Sequence, residues 1–179
     1  TPPVKVQVSS IVITPAAVRL ESGKSKKLTA DILPKEATNK NVVWTSSNPR
    51  VATVSADGTV KALKAGTADI TATAADGSGK KAKSRVTVFA SVTSVKLPQS
   101  TLNLVRKKSA TVKAVVKTTD GSKAKVTWKS SKPKVAAVNS KGKINAKAKG
   151  TAIITAQAEN GKKAKLRVRV VTKAVAVKS

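Results

Sequence analysis

Sliding the 179-residue chain along itself by 84 positions places Trp44 on Trp128, Ser46 and Ser47 on Ser130 and Ser131, and Pro49 on Pro133. The match continues from Val51, Ala52 and Val54 to Val135, Ala136 and Val138. Gly66, Thr67 and Ala68 likewise meet Gly150, Thr151 and Ala152, and the register reads as needing no gap from Ile11 and Val95 onward. Self-similarity at a fixed period means one structural unit built more than once, so the fold must close within about 80 residues. The expected units are 10–90 and 94–174, joined by a linker at 91–93. Val4 to Val8 falls where Val88 to Val92 stands in the next repeat. Residues 1–9 therefore read as the end of a preceding repeat or a linker, and 175–179 as a linker toward a following unit. The chain begins at Thr1, as a piece of a longer array would, and a leader or anchor could lie outside it.

Inside a repeat the period is two. Ala68, Ile70, Ala72 and Ala74 alternate with Thr67, Asp69, Thr71 and Thr73, and Ala152, Ile154, Ala156 and Ala158 repeat the pattern. Such alternation is a strand with one face buried. Leu28, Ala30 and Ile32 alternate in the same way, as do Val42 and Trp44, Val86 and Val88, and Leu166, Val168 and Val170. Gly58, Gly142, Gly77 and Gly161 fall between these runs, where hairpins need a positive φ. About seven short strands per repeat, with turn signals roughly every ten residues, predict an antiparallel sandwich. The chain has no Cys, Met, His or Tyr, two Trp and one Phe. Each unit therefore has a single tryptophan, and Trp44 and Trp128, in register with Val42 and Val126, are expected to plug the two cores.

The run Val42-Val43-Trp44-Thr45-Ser46-Ser47, then Val51-Ala52-Thr53-Val54, Asp57-Gly58 and Ala65-Gly66-Thr67-Ala68-Asp69-Ile70, resembles the bacterial immunoglobulin-like domain, group 2. Both copies carry the pattern over nearly their whole length. The second copy departs from the first at Lys132 and Lys141, which stand where the first has Asn48 and Asp57. The resemblance implies an Ig-like β-sandwich of the kind found in bacterial and phage surface proteins, adhesins and accessory modules of secreted enzymes. It implies no catalytic residues and no fixed ligand.

The inventory of side chains points the same way. Acid–base catalysis at neutral pH usually draws on His or paired carboxylates. There is no His, and the second repeat has only Asp120 and Glu159. Ser46 or Ser47 as a nucleophile would need a base, and no spacing supplies one. Asp57, Asp69 and Asp76 belong to different turns and strands, and their counterparts are Lys141, Ile153 and Asn160, so no metal and no cofactor are expected.

What remains is charge. The net charge is +28, and the two halves share it unequally. Residues 1–90 hold 14 basic and 6 acidic residues, and the rest hold 22 and 2. An excess of that size attracts polyanions at long range. Lys107, Lys108, Lys129, Lys132 and Lys134 cluster around two neighbouring segments of the second repeat, and Lys163, Lys165, Arg167 and Arg169 lie along its last strand. These are the candidate polyanion contacts, set against a plain solvated surface or a guard against edge-to-edge aggregation. Phe89 reads either as an interdomain contact or as a partly exposed strand residue.

The expectation is therefore an all-β protein of two tandem Ig-like antiparallel β-sandwich domains. It would act as a non-catalytic extracellular module of a bacterial surface or secreted protein, a semi-rigid spacer, display and adhesion segment. The expected partners are an anionic cell-wall polymer or acidic polysaccharide and neighbouring domains of a longer chain, with no sequence-specific nucleic acid and no membrane span. An accessory carbohydrate-binding or linker module of a secreted glycan-active enzyme is the alternative.

Overall fold

The computed structural model describes residues 3–172 and divides into two units, one ending at Ser91 and the other beginning at Val92. The expected linker at 175–179 lies outside the described residues. Each unit is built from nine strands, with no helix among the described residues.

In the first unit, β1 (Ser10–Thr14) pairs with β4 (Thr29–Leu33), and β3 (Ser25–Lys27), β7 (Thr59–Ala62) and β6 (Ala52–Val54) form a three-stranded sheet. Opposite them lies a four-stranded sheet in the order β2 (Ala17–Glu21), β9 (Lys81–Phe89), β8 (Gly66–Ala74), β5 (Val42–Ser46). The sandwich is not wholly antiparallel, because β2 runs parallel to β9. β1 and β2 are one extended run broken at Pro15, and the chain changes sheets there, so its second half meets the closing strand in the same direction. Ile70, Ala72, Val86 and Val88 point inward from the large sheet to meet Leu28, Ile32 and Val60 from the other side, all buried.

The second unit repeats this order with β10 (Val92–Lys96), β11 (Thr101–Val105), β12 (Ser109–Thr111) and β13 (Val115–Thr118). They are followed by β14 (Val126–Ser130), β15 (Ala136–Val138), β16 (Lys143–Ala146), β17 (Gly150–Ala158) and β18 (Lys163–Val171). Three details here differ from the sequence reading. Val8 is buried in the core of the first unit and its N–H donates to the Asp76 carboxylate at 2.6 Å, so residues assigned to a preceding repeat pack into this one. Val92 is buried in the same way in the second unit, inside β10 rather than in a linker. The constant offset of 84 also ends at the last hairpin. β8 and β9 are joined by six residues, 75–80, whereas β17 and β18 are joined by four, 159–162. From there the counterpart of a first-unit residue lies 82 positions on, so Arg167 matches Arg85.

A cationic sheet face as candidate functional site

The two-residue shortening decides which side chains share the outer face of the second unit's large sheet. In register across β18, β17 and β14, Lys165 faces Thr155 and Thr155 faces Lys129. One step along, Arg167 faces Ile153, and one further Arg169 faces Thr151. On the other side of β18, β11 contributes Thr101 beside Arg167 and Asn103 beside Arg169. Lys163, Lys165, Arg167 and Arg169 alternate with buried Leu166, Val168 and Val170 and half-buried Ala164, so all four cations point outward. At roughly 7 Å for every two residues they make a row about 20 Å long, with Lys129 two strands away, near 10 Å.

The strand positions of that face carry no carboxylate, and Glu159 stands at its end, in the hairpin just past Gln157. The homologous face of the first unit differs. Arg85 there donates to Asp69 across the strand pair at 3.2 Å, and Arg19 and Glu21 stand on the neighbouring β2. Where the first unit has Asp69, the second has Ile153. The strand positions thus carry mixed charge in one copy and only cations in the other.

Of the remaining predicted contacts, none lies on this face. Lys107 and Lys108 belong to the turn between β11 and β12, where Lys107 adopts φ 68° and its N–H donates to the Ala146 carbonyl. Lys132 and Lys134 are exposed in the turn after β14, whose Val135 N–H closes on the Lys132 carbonyl. Phe89 ends β9 half-buried, with its carbonyl accepting from Ser22 N–H at 2.9 Å.

Trp44 and Trp128 both pack on the core of their unit, as expected of them, without being fully enclosed by it. Both are half-buried rather than sealed in the core. Each packs against the apolar cluster of its unit but comes from an edge strand, β5 or β14, so one side of the indole has no neighbouring strand. Ser46 and Ser130 are structural, since each hydroxyl donates to a carbonyl six residues on, Ala52 and Ala136, at 2.6 Å. These bonds hold the corner that follows the tryptophan.

The acidic residues fasten turns. Ser55 and Thr59 donate to Asp57 and hold its carboxyl well below the usual range. Ser78 and the Val8 N–H lower Asp76 to about 2. Among the described residues there is no group of three or more His, Cys, Asp or Glu able to hold a metal, and no helix long and apolar enough to cross a membrane.

Comparison with known proteins agrees with this architecture. The chain is 48% identical over 88 residues to an alpha-L-arabinofuranosidase of Bifidobacterium longum subsp. longum, covering 49% of this chain and 8% of the enzyme. It is 32% identical over 166 residues to an Ig-like virion protein of Serratia phage KSP90, covering 90% of this chain and 64% of that protein. This chain therefore spans less than two thirds of either relative. The C-terminal 282-residue fragment of intimin, solved in complex with the intimin-binding domain of its translocated receptor, superposes with a TM-score of 0.51. It is 17% identical, with 92% of this chain and 64% of that one covered, a likeness of fold. The model of the bacterial Ig-like domain (group 2) matches residues 7–84 and again residues 91–168. The chain is a tandem member of the bacterial Ig-like domain family, group 2.

Proposed function

We propose that these two domains form a non-catalytic extracellular module of a bacterial surface or secreted protein. It spaces or displays neighbouring domains and holds them against an anionic cell-wall or surface polymer through the second unit. The observation that carries the polymer contact is the row of Lys129, Lys163, Lys165, Arg167 and Arg169 on strand positions that include no carboxylate, on a scaffold whose other copy has Asp69 there. A row of fixed cations binds a flexible polyanion by releasing its counterions, so affinity falls steeply with salt. The test is retention of the chain on isolated wall and on teichoic acid over a salt series. Strong retention at low salt that is lost after charge reversal at Lys163, Lys165, Arg167 and Arg169 supports the reading. Retention that ignores salt or those substitutions defeats it.

The similarity to part of an arabinofuranosidase supports a second reading, an accessory module of a secreted glycan-active enzyme. That reading expects binding to neutral glycans that persists at high salt.

A further inference from the structure

The two units, built to one plan, differ at the edge where β13 and β14 diverge. In the first unit the segment between β4 and β5 folds over this edge. Ala37 is buried there, and Thr38 exchanges hydrogen bonds with Val6 at 2.9 Å in both directions. In the second unit Gly121 stands in place of Ala37, and its loop closes on itself instead. Ser122 donates to Asp120 through N–H and hydroxyl, and the Thr118 hydroxyl donates to the Ser122 carbonyl. Two inward side chains are also smaller, Val112 for Leu28 and Val116 for Ile32. The consequence is a core in two clusters rather than one, with Leu97 and Trp128 packed against both.

Between them lies an open groove of about 850 Å³, against about 470 Å³ at the first unit's equivalent. Its wall is Val112, Ala114, Val116, Val126 and Trp128. Around it stand Lys113, Lys117, Lys123 and Lys141, with no carboxylate among the lining residues. The first unit's groove is instead lined by Lys27, Lys40 and Asp57, with Lys27 and Asp57 paired at 3.4 Å. Three changes thus coincide at one place: loss of the covering residue, loss of core volume, and replacement of a carboxylate by lysine. Loss of packing costs stability, and the exchange leaves an aromatic wall bordered by four lysines, with Asp120 beside the lining Gly121 and tied to Ser122.

We propose that this groove is a binding site for an acidic oligosaccharide, with a sugar ring on the Trp128 side and its carboxylate or sulfate groups held by the surrounding lysines. A cleft with apolar walls and a few polar groups selects orientation as well as charge, and an indole offers the apolar face that a pyranose needs. An acidic peptide is the competing occupant. The free edges of β13 and β14 do not favour it, because lysines at 113, 117, 123 and 125 alternate along the segments that a peptide would have to pair with.

The site is separate from the cationic sheet face, and its test separates them. The full chain is titrated with oligogalacturonate, a sulfated galactan oligomer, a neutral galactan oligomer and polyglutamate, followed by amide and indole shifts of the second unit. The expected result is saturable binding of one or both acidic sugars, with shifts at the Trp128 indole and Gly121. Charge reversal at Arg167 and Arg169 should leave this binding in place. Filling the groove with V112L and V116I, side chains the first unit already accommodates, should abolish it while leaving the fold intact, and K141D, which restores the first unit's residue, should weaken it. Binding of polyglutamate as tight as that of the sugars, equal binding of the neutral oligomer, no binding, or binding unaffected by V112L/V116I would each overturn the assignment.

Discussion

The Trp128 indole lies against Gly142, so closely that a Cβ there would sit 2.9 Å from its Cζ2 atom. The same Cβ would meet the Val112 carbonyl oxygen at 2.2 Å, and Gly142 has φ 77°. The glycine that makes the hairpin is therefore also the floor on which the tryptophan rests. Gly142→Ala should cost about 3 kcal/mol or more, from left-handed strain and displaced backbone together. Urea unfolding of the second unit measures it, and a loss below about 1 kcal/mol would mean that the hairpin tolerates a side chain at this position.

Acid should loosen the first unit before the second. Asp76 has its pKa lowered from 3.8 to about 2 by Ser78 and the Val8 N–H. A group depressed on folding stabilises above its unfolded pKa, and that contribution disappears as pH falls through the folded value. The loss should therefore fall between about pH 4 and pH 2. Asp57 is shifted in the same direction and adds to it. In the second unit the equivalents are Asn160 and Lys141, and the Asn160 amide donates to the Val92 carbonyl at 2.9 Å. Asp76→Asn should flatten part of the acid dependence of the first unit's unfolding midpoint. An unchanged profile in that variant would remove Asp76 from the explanation.

The Arg85–Asp69 pair is exposed on the arginine side, and such pairs contribute only about 0–1 kcal/mol. Asp69→Ile, which copies Ile153, should change stability within that range. It should nevertheless increase retention on polyanions, because it frees Arg85 and removes the opposing charge. Comparing melting temperature with salt-dependent retention for this one variant tests whether the carboxylate matters for charge rather than for folding.

Lys107 holds φ 68° where the first unit has Gly23 at φ 89°. A lysine in the left-handed region is strained by about 1 kcal/mol or more. Lys107→Gly should stabilise the second unit by up to about 1 kcal/mol, since the strain it relieves is partly offset by the entropy glycine adds to the unfolded chain. A clearly destabilising result would show that the lysine side chain makes contacts that outweigh its backbone strain.

Much of the fold was written in residue pattern alone. The repeat, the period-two runs at Ala68 to Ala74 and Ala152 to Ala158, and the turn glycines specified strands, their buried faces and two sandwiches, because alternation and positive φ are local requirements. The parallel pairing of β2 with β9 was not legible, since the change of sheet at Pro15 is a matter of where the chain goes next. Trp44 and Trp128 follow the inward pattern and still stay partly exposed, because alternation gives the face of a strand but not whether that strand lies at the sheet's edge.

The candidate site divides along the same line. Composition established that the second repeat holds the excess of cations, and alternation in Lys163 to Arg169 placed four of them on one side. Only the tertiary structure brought Lys129 onto that face and left Lys107, Lys108, Lys132 and Lys134 off it. It also showed that a hairpin two residues shorter sets Arg167 opposite Ile153 where Arg85 meets Asp69. Charge and periodicity are properties of the chain, whereas neighbours across strands depend on register, and register is set by turns and packing between distant segments.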